Sequence, residues 1–139
     1  MPDPNAIVEI CHKVYEKGFV SAYDGNISVI TENNSILITR SGVCKGDVKE
    51  SDIMEINFAG EIINGKGKIS TEYKIHLYAY AKRPEVKAVV HCHPTYATAF
   101  AAAGRGLTEP VFPEVLLTLG AGDIDQFVGP ITQMLSVLK

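Results

Sequence analysis

The triplet His91-Cys92-His93 carries the most evident chemistry in the sequence. In an extended chain, residues two apart point to the same side, so His91 and His93 would present two imidazoles together. Neutral imidazole nitrogens are good ligands for Zn2+ and related divalent ions. Two polar residues closing a strand before Pro94 could equally hydrogen-bond locally, and spacing alone does not separate these readings. Cys92 would face the other way, into the core. Glu72, in Ser70-Thr71-Glu72, offers a carboxylate suited to proton transfer, yet acids at a helix start also simply oppose the helix dipole. His76, four residues on, could pair with Glu72 or be a satisfied core histidine. His12 falls on the expected solvated face of a helix.

Three small polar segments could hold an anion: Asp24-Gly25-Asn26, Ser41-Gly42 and Ser70-Thr71. Hydroxyls, exposed backbone N–H groups and a helix N-terminus are what a phosphate needs. Each segment alone is also an ordinary turn or cap, and none matches a Walker or dinucleotide fingerprint. Lys45 and Lys74 lie near these segments, and nothing in the sequence marks either as a Schiff-base lysine.

These residues must be positioned by an ordered set of elements. Asp3-Pro4 reads as an N-cap followed by proline at the first helical turn, and Ile7, Ile10, Cys11, Val14 and Tyr15 recur at helical spacing up to Gly18. Ile27–Ile30 and Ile36–Thr39 flank the turn 32–35 and predict a hairpin with a four-residue loop. Ile53–Phe58 and Glu61–Ile63 predict a second hairpin around Ala59-Gly60. Ser70 or Thr71 would cap a helix through Lys82, stopped by Pro84. Ala88–His91 reads as an apolar strand buried on both faces, and Thr95–Ala103 as an alanine-rich helix. Val115–Leu119 suggests another strand, and Pro130 the start of a final helix. The expected class is α/β (α+β): a three-layer α/β/α arrangement with a largely antiparallel central sheet.

The 139 residues suit a single domain, and no internal repeat or linker divides them. Thirteen basic residues against 16 acidic ones, without a Lys/Arg run, argue against nucleic acid as a partner. No apolar run approaches the roughly 18 residues of a membrane span, and the N-terminal residues do not read as a signal peptide. Three scattered cysteines do not form a disulfide framework or a CxxC motif, which makes the cytoplasm the expected address.

In order along the chain, Gly18-Phe19-Val20-Ser21-Ala22-Tyr23-Asp24-Gly25-Asn26-Ile27-Ser28, Ile36-Leu37-Ile38-Thr39-Arg40-Ser41-Gly42, Gly67-Lys68-Ile69-Ser70-Thr71-Glu72 and Ala88-Val89-Val90-His91-Cys92-His93-Pro94 resemble the motifs of the class II aldolase/adducin family. The resemblance covers about residues 5–122. It implies that His91 and His93 are two of three histidine ligands of a catalytic Zn2+, and that Glu72 is the acid/base residue, able also to approach the metal. It implies that Gly25, Asn26, Ser41, Gly42, Ser70 and Thr71 cradle a substrate phosphate. The expected activity is reversible cleavage of a ketose 1-phosphate into dihydroxyacetone phosphate and an aldehyde, and the Tyr23-Asp24-Gly25-Asn26 form points to L-fuculose 1-phosphate.

The resemblance further implies a homotetramer with sites at subunit boundaries, for which Val111–Leu119 is a candidate interface segment. Two departures stand out. Glu114 aligns near the position of a family tyrosine acid, and no histidine follows His93. The family's third ligand belongs to a part beyond Lys139, so the chain reads as a single class II aldolase-like domain lacking the C-terminal part. Alternatives on the same scaffold are a pentulose-phosphate 4-epimerase, a sugar-phosphate dehydratase, or a non-catalytic adducin-like binding module.

Overall fold

A computed structural model describes residues 3–105 of the chain. The chain divides into two compact units, Met1–Pro94 and Thr95–Lys139. The first opens with helix α1, Pro4–Glu16, capped by the Asp3 side chain, which accepts from the Asn5 N–H at 2.9 Å. The helix closes as expected at Gly18. With this glycine at φ +69°, its N–H bonds to the Tyr15 carbonyl and that of Phe19 to the Val14 carbonyl. These paired bonds satisfy carbonyls that the last helical turn leaves open, and glycine reaches the left-handed region without a Cβ penalty.

Five strands follow: β1 (Asn26–Ile30), β2 (Ile36–Thr39), β3 (Ile53–Ile56), β4 (Ile62–Asn64) and β5 (Ala88–His91). They form one sheet in the order β4-β3-β2-β1-β5, antiparallel at every pairing. The first hairpin turn is tighter than the sequence suggests. Residues 31–35 join the two strands. The Thr31 N–H bonds to the Ser35 carbonyl and the Asn34 N–H to the Thr31 carbonyl, with Asn34 at φ +58°, so the chain reverses within residues 32–34. Asparagine tolerates the left-handed region well enough to permit this. A short 3-10 turn, Glu50–Asp52, leads into β3.

Alternation along the strands sends two sets of side chains to opposite faces. On one face Ile27 meets Ile7 and Cys11 of α1, with Val43 and Val48 from the loop before β3. On the other, Ile36, Ile38, Met54 and Ile56 pack with Tyr80 of helix α2, Tyr73–Lys82. The result is the expected helix–sheet–helix layering. Each fully buried isoleucine here contributes about 1.5–3 kcal/mol relative to exposure. His12 departs from expectation: it is partly buried, and its Nε2 bonds to the Val48 carbonyl at 3.0 Å.

β5 is also not buried on both faces. Among the described residues it stands at the edge of the sheet and pairs only with β1, and Val90 is about half exposed. The run Ala-Val-Val has the composition of a central strand, but composition does not report position within a sheet. Within the second unit, helix α3 spans Thr95–Ala102. The expected strand at Val115–Leu119, the helix from Pro130, and Glu114 lie outside the described residues. Among the described residues, no helix is long and apolar enough to cross a membrane.

Candidate active site

The antiparallel register places Asn26 opposite His91, on the sheet face covered by α2. Glu72 stands at the N-cap position of α2, one residue later than the sequence suggested for the cap. Its backbone N–H is bonded by Ser70 Oγ at 3.3 Å, so Ser70 still caps, from two residues upstream. Helix α2 thereby brings the Glu72 carboxylate over the end of β1. Asn26 Nδ2 donates to Glu72 Oε2 at 2.7 Å and to Ser70 Oγ at 3.2 Å.

His91 Nδ1 lies 3.4 Å from the same Glu72 oxygen. It is buried and makes no hydrogen bond. His93 lies just past the end of β5, held by its N–H to the Phe19 carbonyl at 2.8 Å, and the two imidazole centroids are 4.8 Å apart. Glu72, His91 and His93 each offer one ligand atom, all within 4.8 Å of one another. Two imidazole nitrogens and a carboxylate oxygen are a donor set for Zn2+ and similar ions. A buried ring nitrogen with no hydrogen bond and a carboxylate oxygen 3.4 Å away fits a shared divalent cation. Burial lowers the pKa of His91, while Glu72 opposes this, so the ring favours the neutral, ligating form. Cys92 is not part of this group.

Gly25 takes φ +70°, and a Cβ there would lie 2.6 Å from Val20 Cγ1 and 2.7 Å from the His91 carbonyl oxygen. The Asp24-Gly25-Asn26 turn is therefore packed directly on the strand that carries His91. Ser70 Oγ accepts from both Asn26 and Glu72, which leaves its hydroxyl hydrogen free to donate outward. Ser41 and Gly42 stand in the neighbouring loop, tied by the Ser41 N–H to the Lys68 carbonyl at 2.9 Å and by a bridge between Arg40 and Ile69. Among the described residues, no hydrogen bond joins Ser41, Gly42 or the exposed Thr71 to the Glu72 cluster. Lys45 is almost fully buried, its Nζ donating to the Val43 carbonyl at 3.0 Å, and burial lowers its pKa. Lys74 is on the exposed face of α2.

His76 is one part of the site whose role the sequence left open. It is buried as a core histidine, not paired with Glu72: Nε2 bonds to Asn26 Oδ1, and Nδ1 to Ser28 Oγ at 2.6 Å. Ser28 Oγ in turn lies 2.6 Å from the Tyr80 hydroxyl. The signals for this network were present as Asn26 and Ser28 at strand spacing and His76 and Tyr80 at helical spacing. Connecting the two pairs requires knowing that α2 covers β1.

The site thus lies on a layered, antiparallel sheet scaffold that carries a carboxylate and two imidazoles at one strand end. The chain belongs to the family described as the class II aldolase and adducin N-terminal domain, whose pattern it matches over residues 5–128. It is 38% identical over 105 residues to the L-fuculose phosphate aldolase of Methanococcus vannielii, covering 76% of this chain and 56% of that protein. It is 30% identical to the 3-oxo-tetronate 4-phosphate decarboxylase of Pectobacterium atrosepticum, over 89% of this chain and 58% of the other. A solved L-fuculose 1-phosphate aldolase superposes with a TM-score of 0.68 at 31% identity, over 73% of this chain and 49% of the solved one. The chain spans about half the length of the curated relatives it matches.

Proposed function

We propose that this chain, as part of one class II aldolase-like domain, supplies the proton-transfer and phosphate-binding residues of a metal-dependent lyase. The proposed reaction is reversible cleavage of a ketose 1-phosphate into dihydroxyacetone phosphate and an aldehyde, with L-fuculose 1-phosphate as lead substrate. The observation that carries the reading is the buried His91 Nδ1, which makes no hydrogen bond and faces Glu72 Oε2 at 3.4 Å. A divalent ion, Zn2+ first, would be held by His91, His93 and, at rest, Glu72, and would supply Lewis acidity toward the substrate carbonyl.

The chain's own residues divide the remaining work. Glu72 moves the proton, a role that its position beside the ligand pair and its part-exposed carboxylate support. Asn26 orients that carboxylate. Ser70 is the best placed phosphate donor, with Gly25, Asn26, Thr71, Ser41 and Gly42 completing the cradle. A homotetramer in the cytoplasm is the matching assembly and address.

The relative named as a 3-oxo-tetronate 4-phosphate decarboxylase supports a second reading. Loss of CO2 from a 3-oxo acid also leaves a carbanion beside a carbonyl, so the same residues could serve it. Incubation with zinc and L-fuculose 1-phosphate decides between them. Release of dihydroxyacetone phosphate is expected. Release of CO2 from 3-oxo-tetronate 4-phosphate, with no cleavage of the ketose phosphate, would favour the decarboxylase instead.

A further inference from the structure

We infer that Tyr80, Ser28, His76 and Asn26 form a hydrogen-bond chain of one fixed direction, and that His76 is thereby a positioning residue that locks the Asn26 amide toward Glu72. The inference rests on the proposed role of Glu72 for its catalytic consequence, but the direction of the chain follows from the contacts alone. A carboxylate can only accept, so the Asn26 atom 2.7 Å from Glu72 Oε2 is the amide nitrogen. Its oxygen Oδ1 then faces His76 Nε2, which must carry a hydrogen to be bonded there.

A neutral imidazole has one N–H, so His76 Nδ1 is left as an acceptor and Ser28 Oγ donates to it across 2.6 Å. The Ser28 oxygen is then open to accept from the Tyr80 hydroxyl at 2.6 Å. Burial holds His76 neutral by pushing its pKa down to about 4, with His91 adding to the effect.

The reverse direction fails at both ends. It would point Asn26 Oδ1 at the Glu72 carboxylate, oxygen against oxygen. It would also turn the Tyr80 hydroxyl, now the acceptor from Ser28, into a donor with no acceptor among the described residues. All three internal members are buried: Asn26 at 2%, Ser28 at 0% and His76 at 1% exposure. Tyr80 is itself 4% exposed, so water does not supply the missing acceptor. The amide that touches Glu72 is held from behind, between β1 and α2, by residues outside the Glu72, His91 and His93 group.

Two measurements on the full 139-residue chain test this. The first is nitrogen NMR of a 15N-histidine-labelled sample with and without zinc. His76 is expected as the neutral Nε2–H tautomer in both, and a neutral Nδ1–H tautomer overturns the inference whether or not the protein has any lyase activity. The second compares His76→Gln with His76→Leu. Glutamine can place an N–H near the position of Nε2–H, so kcat is expected within about fivefold of wild type. Leucine removes the donor, frees Asn26 to flip, and is expected to lower kcat by more than thirtyfold. Equal kcat values in two folded variants overturn the positioning role. If leucine prevents folding, the glutamine variant still decides: loss of more than thirtyfold there, with an unchanged melting temperature, counts against it. Slow or absent cleavage by the wild-type chain itself bears on the proposed function alone, while the tautomer still decides the hydrogen-bond chain.

Discussion

Asn26 and Glu72, 46 residues apart in sequence, are joined by a 2.7 Å hydrogen bond from the Asn26 amide to Glu72 Oε2. The donor is rigid and buried on β1, whereas the acceptor begins α2 with its side chain about one-third exposed. The bond therefore ties the more exposed side chain to the buried one. Asn26→Asp replaces the donor with a second acid, so one carboxyl of the pair must keep its proton nearer neutrality. Losing a hydrogen bond to a charged group costs about 1.5–3 kcal/mol. A fall in kcat of tenfold or more is expected at neutral pH, with a folded protein by circular dichroism. An unchanged rate would disconnect Asn26 from the chemistry.

Glu72→Gln keeps the size and most contacts of the side chain, yet removes its ability to take a proton. General acid–base catalysis contributes about 10²–10⁴-fold, and a loss in that range is expected for cleavage of the ketose phosphate. Affinity for inorganic phosphate should be nearly unchanged, because the Ser70 hydroxyl is retained. Near-wild-type turnover would remove Glu72 from its assigned role.

His91 and His93 were legible in the sequence because a two-residue spacing survives even where the strand ends between them. Glu72 was legible only through the run Gly67–Glu72, since an acid at a helix start has a sufficient dipole explanation. The connection from Glu72 through Asn26 to His76, Ser28 and Tyr80 was not legible, because it joins residues 46 to 52 apart, from β1 to the helix α2 packed on it. The edge position of β5 was missed for a related reason. Pairing partners are a property of the whole sheet, whereas hydropathy reports each strand alone.

Gly25 and Gly42 share nearly the same backbone conformation, φ +70° and +73°, but not the same surroundings. An added Cβ at Gly42 meets nothing within 4 Å, whereas at Gly25 it collides with Val20 and the His91 carbonyl. Gly42→Ala should therefore cost only the left-handed strain, roughly 1–2 kcal/mol. Gly25→Ala adds displacement of the β5 end that carries the imidazoles. Its melting temperature should fall further than that of Gly42→Ala, and its zinc affinity should weaken, while Gly42→Ala retains zinc binding. Equal melting temperatures would mean that the turn relaxes without moving β5.

The buried His76 makes stability depend on pH in a defined window. Its pKa falls from 6.5 in the unfolded chain to about 4 when folded. Between those values the unfolded chain binds the extra proton and the folded one does not. Stability is therefore full above pH 6.5 and declines as pH falls toward 4, by a total on the order of 3 kcal/mol. Asp52, held low chiefly by its hydrogen bond from Arg40, adds loss in the same direction at lower pH. Urea unfolding of wild type and His76→Gln at pH 7 and pH 4.5 isolates the histidine. The variant should lose less stability between the two, and an identical loss would show that His76 is not the titrating group.

Metal binding by this chain is expected to be real but weak, with Glu72 caught between two roles. Catalytic zinc sites generally have three protein ligands and a water. Here the third donor beside His91 and His93 is a carboxylate, and residues 94–139 contain no histidine. A Glu72 engaged as ligand is less able to act as base, so tighter metal binding through it should accompany slower proton transfer. His91, neutral because burial lowers its pKa, needs little deprotonation near neutrality. Zinc affinity should accordingly hold from pH 7.5 down to pH 6.5 better than an exposed imidazole pair would allow. Calorimetric titration of the wild type should give one weak site per chain, absent in His91→Ala and in His93→Ala, and weakened about tenfold or more in Glu72→Ala. A ligand present at 100 times its Kd raises stability by about 2.7 kcal/mol, so a zinc-induced rise in melting temperature gives an independent check. Tight binding that survives Glu72→Ala would locate the third ligand elsewhere and release Glu72 for proton transfer alone.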